Sequence, residues 1–305
     1  MTQRFYSHGK LLITGEYAVL DSALSLAIPT TYGQSLSVTK INSGHLTWKS
    51  YDEKGNLWFE SILTFEELSS RKKPVRKNPV EDSLLKILRD ARKYNPRFLA
   101  TTSGYSVETT LEFPPSWGLG SSSTLINNIA LWADVDPYKL LWNSFGGSGY
   151  DIACARHTKP ILYELKKPRP VVKEIDFRPP FSKQVYFVHL GKKQNSREGI
   201  SHYRNMDFDV RKLVSEITRI TKQILQCTTL SNFEILLEEH EHILSKTLHL
   251  PTVRETLFPD YNGLVKSLGA WGGDFVMVTG NGEFIRDYFK NKGYHTIVPF
   301  DEMVL

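Results

Sequence analysis

The side chains most able to do chemistry in this chain lie in short stretches rich in glycine and hydroxyl residues. One of them, PPSWGLGSSS (Pro114 to Ser123), runs directly into an apolar helical pattern. N–H groups at a helix start lack partners and carry the positive end of the helix dipole. Glycines beside them let an anion come close, which suits a phosphate. Plain punctuation is the alternative, since glycine and proline break strands and serine caps helices. Two further stretches flank this one along the chain: SHGKLLITGEYAVLDSALSLAIP (Ser7 to Pro29), with Lys10 and Glu16, and KSLGAWGGDFVMV (Lys266 to Val278). A fourth segment, GGSGYDIACA (Gly146 to Ala155), sets Asp151 just after a Gly-Ser-Gly turn, where by itself it would be an ordinary helix cap.

The elements that must position these residues follow from periodicity. KLLITGEYAVL reads as a strand that turns at Gly15, and SLAIPT closes that segment. Residues 34 to 65 alternate polar and apolar types, with turns at Gly44 and Gly55-Asn56, and read as a β-meander. A helix is expected over about 79 to 94, with Asn78 as N-cap, Pro79 as first residue, and Glu81 and Asp82 complementing its dipole. YSVETTLEF then reads as a strand that delivers the chain to the glycine-rich turn, and the next helix starts near Ser122. In the second half KQVYFVHLG and FVMVTG read as strands, and residues 208–226, 231–248 and about 282–291 as helices. The 231–248 helix would open on a capping box of Ser231 with Glu234. Strands and helices interleave without a regular βαβ period, so the fold class is α+β with two domains. The joint is expected in the proline-rich KKPRPVVKEIDFRPPF, giving domains 1–178 and 179–305.

Composition narrows the function classes. With 305 residues and a net charge of +5, the chain has room for two domains and tolerates an anionic partner. Its composition is that of a soluble protein; it has no membrane-spanning apolar run and no apolar signal core near the start, so a cytoplasmic location is expected. Cys154 and Cys227 are far apart, which fits a reduced compartment without a structural metal. The basic run RKKPVRK (Arg71 to Lys77) lacks the interleaved aromatic residues of a nucleic-acid face and reads as a solvated loop. Glu239-His240-Glu241-His242 offers no chelate either, because residues two apart on a helix face different ways; it reads as a solvated helix.

Taken together and in this order, the stretches resemble the GHMP kinases, small-molecule kinases named for galactose, homoserine, mevalonate and phosphomevalonate. The middle stretch is similar to that family's P-x-x-x-G-L-G-S-S-A phosphate loop, the first to its G-K-x-x-L-x-G-E-[HY] start, and GSGYD to its S-G-x-D segment. The resemblance spans nearly the whole chain. No G-x-x-x-x-G-K-[ST] loop is present, and Ser123 stands where a dinucleotide fingerprint would need glycine. The resemblance implies an N-terminal domain like ribosomal protein S5 domain 2, a ferredoxin-like C-terminal domain, and phosphorylation of a small molecule with ATP and magnesium.

Site residues follow from the same resemblance. Gly118, Leu119, Gly120, Ser121, Ser122 and Ser123 would offer main-chain N–H groups to the triphosphate, and the Ser122 hydroxyl would contact magnesium. Asp151 would face the attacking hydroxyl as base or orienting acceptor, with Lys10 steadying charge on the transferring group. Glu16 would lie near substrate and metal. GSGYDIA and the GGD of the last stretch lean toward the phosphomevalonate kinase branch. Lys192, Lys193, Ser196 and Arg197, in VHLGKKQNSREG, would then hold the phosphate of a phosphorylated acceptor.

Departures from the pattern bear on these roles. Ser116 and Trp117 precede Gly118 where the family has smaller residues, Trp271 interrupts the last glycine run, and Leu140 occupies the position of a mevalonate kinase glutamate metal ligand. Mevalonate kinase is the first alternative. A diphosphomevalonate decarboxylase-like lyase and a non-catalytic nucleotide- or RNA-binding protein are the others, although neither nucleic acid nor membrane is the expected partner. Monomer and homodimer both remain open.

Overall fold

Alternating burial along the strands and a three-to-four-residue spacing along the helices assign each element of the chain. The computed structural model describes residues 1–70, 78–100, 103–192 and 194–305. The run Arg71 to Lys77 and Lys193 lie outside the described residues. The chain forms two compact units, each assembled from separate segments. The first comprises 1–9, 32–115 and 120–156, and the second 10–31, 116–119 and 157–305. The chain crosses from one unit to the other several times. Two long strands, β1 (Thr2–Thr14) and β2 (Ser25–Ile41), contribute residues to both.

In the first unit follow β3 (His45–Tyr51), β4 (Leu57–Thr64), α1 (Phe65–Ser69), α2 (Pro79–Tyr94), β5 (Gly104–Leu111), α3 (Ser121–Ala133), α4 (Pro137–Ser144) and α5 (Tyr150–Arg156). The strands lie in the order β4-β3-β5-β2. This departs from the expected meander. β3 and β4 do form an antiparallel hairpin, but β5 inserts between β3 and β2, parallel to the first and antiparallel to the second. A meander pattern read locally cannot register a strand that arrives fifty residues later and buries Val107 between two neighbours.

The helices cover the apolar face. α2 starts as expected, with the Asn78 side chain accepting from Val80 N–H and Pro79 at its first position. It buries Leu84, Leu85, Leu88 and Ala91 on one stripe. These join Trp48, Ile126, Ile129, Leu140 and Ile152 in a single core. Each fully buried leucine or isoleucine there contributes about 1.5–3 kcal/mol relative to exposure. Leu140 is thus a core residue of α4, and its apolar side chain packs where a metal ligand was looked for.

The second unit contains β6 (Ile161–Glu164), β7 (Val171–Glu174), β8 (Val185–His189), α6 (Ser196–Asn205), α7 (Val210–Ile224), α8 (Leu230–Leu248), α9 (Val253–Leu257), β9 (Val265–Leu268), β10 (Phe275–Thr279), α10 (Gly282–Asn291), β11 (Ile297–Pro299) and α11 (Phe300–Met303). β6 pairs with residues 25–27 of β2 and with β7. The remaining strands make an antiparallel sheet in the order β11-β8-β10-β9. With helices between β8 and β9 and between β10 and β11, this is the β-α-β-β-α-β arrangement of a ferredoxin-like unit.

Two expectations for α8 fail. It begins two residues earlier than the capping box required: Thr229, in extended backbone, is the N-cap and accepts from Asn232 N–H. Glu234 instead receives a hydrogen bond from the Thr279 hydroxyl. The helix is not solvated around the Glu239–His242 run either, because His240 and Glu241 are buried and only the flanking Glu239 and His242 face water. Among the described residues no helix is long and apolar enough to cross a membrane.

Candidate active site

The glycine-rich turn is built by backbone conformations that only glycine adopts freely. After Phe113, buried at the end of the β5 segment, Pro115–Trp117 makes one 3-10 turn. Gly118 and Gly120 then take φ of +66° and +90°. Gly120 caps α3, its carbonyl accepting from Ser123 and Thr124 N–H. α3 is thirteen residues long, so the N–H groups of its first turn stand at the positive end of a full helix dipole. This is the backbone geometry an anionic oxygen fits.

Asp151 sits in the first turn of α5, after the left-handed Gly146, Gly147 and Gly149. Its two carboxylate oxygens are separately held in the first unit. Oδ1 accepts from Ile152 N–H at 3.0 Å, and Oδ2 accepts a short hydrogen bond from the Ser123 hydroxyl. Ser123 is buried and Ser122 is exposed at the second position of α3. The serine that touches the carboxylate is therefore Ser123, while Ser122 presents its hydroxyl to solvent.

In the second unit the first and last stretches meet. Lys10 N–H donates to the Leu119 carbonyl at 3.0 Å, and a β-carbon placed on Gly269 would lie 3.8 Å from the Lys10 ammonium. Trp271 is accommodated in the last stretch by left-handed turns at Gly269 and Gly272. Its backbone N–H donates to the Tyr17 hydroxyl at 3.0 Å, and its indole N–H to the Pro251 carbonyl at 2.9 Å.

Glu16, expected beside substrate and metal, is only 1 % exposed. Lys266 Nζ donates to its Oε1 at 2.7 Å and to the Ser267 carbonyl at 2.8 Å, and stands 3.6 Å from Glu241 Oε1. His240 Nε2 lies 3.4 Å from Glu16 Oε2 and accepts from Gly15 N–H, which assigns the ring proton to Nδ1. Two carboxylates thus share one ammonium in the buried interior. Burial pushes the Glu16 carboxyl up to about 7, with Lys266 pulling partly back. Burial also raises Glu241, and burial followed by the Lys266 charge holds His240 well below its usual value. This cluster fastens the Gly15 turn from beneath. Sequence reading missed Lys266, His240 and Glu241 because their partners are more than 220 residues distant from Glu16 or Gly15.

Of the remaining expected residues, Lys193 lies outside the described residues, Lys192 is in the loop after β8, and Ser196 and Arg197 open α6. Lys192, Ser196 and Arg197 are exposed, with Ser196 the first residue of α6 and Asn195 its N-cap, accepting from Arg197 N–H at 3.1 Å.

Among the described residues no group of three or more His, Cys, Asp or Glu side chains could hold a metal ion. Asp151, Ser122 and Ser123 offer one carboxylate and two hydroxyls, a sparse oxygen set that fits magnesium only where the ion keeps most of its waters.

No protein-family model and no curated protein matches the chain. Solved structures match over almost its whole length. Methanococcus jannaschii mevalonate kinase is 16% identical, over 97% of this chain and 96% of that one, with a TM-score of 0.71. Streptococcus pneumoniae phosphomevalonate kinase, in complex with phosphomevalonate and AMPPNP, is 15% identical, over 97% and 99%, at 0.71. Lactococcus lactis galactokinase complexed with galactose is 12% identical, over 100% and 93%, at 0.66. The chain has the fold of these small-molecule kinases, and the GHMP-kinase resemblance carried by its glycine-rich stretches extends to the whole architecture.

Proposed function

We propose that the protein is an ATP-dependent kinase acting on a small molecule, and that its acceptor is phosphomevalonate. The observation that carries the reading is the bond from Ser123, in the first turn after the glycine loop, to Asp151. It fixes a carboxylate to the helix whose N-terminus is shaped for phosphate. Phosphoryl transfer needs positioning and charge stabilisation more than covalent chemistry, and these residues supply both.

In this reading the N–H groups of Gly118 to Ser123 bind the triphosphate, and Lys10 steadies charge on the transferring group. The acceptor oxygen forms a bond to the γ-phosphorus. The bond from that phosphorus to the β–γ bridging oxygen breaks, and its electron pair leaves with ADP. A hydroxyl acceptor passes its proton to Asp151, and so does the protonated fraction of a phosphate acceptor, whose second pKa is about 6. Magnesium bound with the nucleotide would neutralise phosphate charge through this transfer. Glu16 supports the first stretch from inside. Mevalonate is the second reading, favoured by Asp151 itself, since a carboxylate fixed in place at both oxygens suits accepting the proton of an alcohol.

The two serines separate in function. Ser123→Ala is expected to lower turnover about tenfold, the scale of one hydrogen bond to a charged group. Ser122→Ala is expected instead to raise the magnesium concentration needed for half-maximal rate. Magnesium titrations of both variants check this, and equal, negligible effects would count against the assignment.

The acceptor is tested at two exposed cations. Lys192→Ala and Arg197→Ala are each expected to raise KM for phosphomevalonate more than KM for ATP, one of them about tenfold or more. Efficient phosphorylation of mevalonate with phosphomevalonate ignored would transfer the assignment to mevalonate kinase.

A further inference from the structure

Residues 116–119 of the glycine-rich loop are each tied to the second unit. The Ser116 carbonyl accepts from His189 Nε2 at 3.0 Å, and the Trp117 ring packs edge-on against Phe275 at 5.4 Å. The Leu119 carbonyl accepts from Lys10 N–H. Gly118 is covered by a carboxylate: a β-carbon there would lie 2.3 Å from Asp274 Oδ2 and 2.3 Å from its Cγ. No side chain other than hydrogen fits at Gly118 while Asp274 stays in place.

Asp274 is unusual in its own backbone. It takes φ of +54°, a left-handed conformation that asparagine and aspartate tolerate better than most residues but that glycine adopts without cost. Gly272 and Gly273 immediately precede it, yet the position carries a carboxylate that is 7% exposed. Three of its polar groups grip the loop after β8. Its carbonyl accepts from Leu190 N–H at 2.8 Å, its N–H donates to the Lys192 carbonyl at 2.8 Å, and Oδ1 accepts from Gln194 N–H at 3.3 Å. The Gln194 side chain in turn lies against Gly273, where a β-carbon would meet its Cγ at 2.0 Å. One residue thus touches both the loop shaped for phosphate and the loop that carries Lys192.

We propose that Asp274 is a positioning residue whose carboxylate fixes Gln194, and with its main chain Leu190 and Lys192, against Gly118, so that acceptor-binding and phosphate-binding loops hold one spacing. This deepens the kinase reading above and rests on it for the identity of the two loops. The carboxylate acts through Gly118 and Gln194 and takes no part in the transfer itself. Its role is geometric, so an amide of the same shape that keeps Oδ1 as acceptor should serve nearly as well.

The test compares Asp274→Gly with Asp274→Asn in the full chain. Glycine keeps the left-handed backbone and the two main-chain hydrogen bonds while removing the carboxylate, so folding is preserved. Asp274→Gly is expected to raise acceptor KM about tenfold with kcat and melting temperature close to those of the unmodified protein. Amide hydrogen exchange at Gln194 and across residues 116–119 should accelerate about tenfold, with exchange in β8 and β10 unchanged. Asp274→Asn is expected to stay within about threefold of the unmodified protein on every measure. Unaltered exchange at Gln194 and residues 116–119 in Asp274→Gly, or equal damage from asparagine and glycine, overturns the proposal. If the unmodified protein transfers phosphate to no acceptor, the kinase reading fails, while the exchange measurement still decides whether Asp274 fixes the two loops.

Discussion

Asp151→Asn is expected to lower turnover at least about a hundredfold while leaving ATP affinity within a few-fold of the unmodified protein. The carboxylate is held at both oxygens, by Ile152 N–H and by the Ser123 hydroxyl, so its position depends on neighbours that the substitution keeps. Asparagine fills the same space, and the serine hydroxyl can rotate to accept from the new amide. What is lost is a charged acceptor for the incoming group, and a missing acid–base residue commonly costs two to four orders of magnitude. The nucleotide is bound in this account by main-chain N–H groups of the glycine loop, which the substitution does not touch. Single-turnover kinetics beside equilibrium nucleotide binding separates the two effects. A folded Asp151→Asn protein with near-normal turnover would remove Asp151 from the mechanism.

The second large effect is on stability. Lys266 is the ammonium shared by Glu16 and Glu241, and all three are buried. Lys266→Met keeps most of the volume and removes the charge, which leaves two carboxylates in the interior without compensation. Breaking a buried pair in this way costs about 3–5 kcal/mol. The cost should depend on pH, because the stranded carboxylates escape it by taking protons. Denaturant unfolding is expected to show a larger deficit at about pH 8 than at about pH 5.

The unmodified protein carries a milder form of the same dependence. The folded state holds the Glu16 proton up to about 7, whereas an unfolded carboxyl gives it up near 4.3. The contribution of Glu16 therefore declines as pH rises across that interval and is level above it. His240, kept neutral by burial, acts in the opposite sense and withdraws stability as pH falls below about 6.5. Glu16→Gln leaves one carboxylate to one ammonium and is expected to flatten the decline toward pH 7. A Lys266→Met protein as stable as the original at both pH values would show that the cluster has no such energetic role.

The sequence made the local features legible and the convergent ones not. The start of α2 was visible in Asn78-Pro79 because capping is decided within four residues, and the start of α3 in the glycines and serines around residue 120. β8, β10 and α10 were visible for the same reason: each carries its own period or turn. The insertion of β5 between β2 and β3 was not, since strand order depends on pairing across long loops. Thr229 displaced Ser231 as a cap by a two-residue shift of the helix start, which periodicity does not resolve.

Glu16 shows the limit most clearly. The resemblance put it near substrate and metal, but GEY alone could not show that residues of α8 and β9, far along the chain, enclose it. Asp274 was seen only as part of a GGD pattern. Its left-handed backbone and its contact with Gly118 are properties of the folded chain.

The central claim is phosphoryl transfer from ATP to a small molecule, and the most direct measurement follows the γ-phosphoryl group itself. The purified protein is incubated with magnesium and γ-labelled ATP against phosphomevalonate, mevalonate, galactose and no acceptor. Label in product and release of ADP and carbon dioxide are recorded together. The account predicts one ADP per labelled product, with phosphomevalonate the best acceptor, no carbon dioxide, and loss of the signal in Asp151→Asn. Carbon dioxide release would indicate a decarboxylating lyase. Nucleotide binding with no label transferred to any acceptor would contradict the claim.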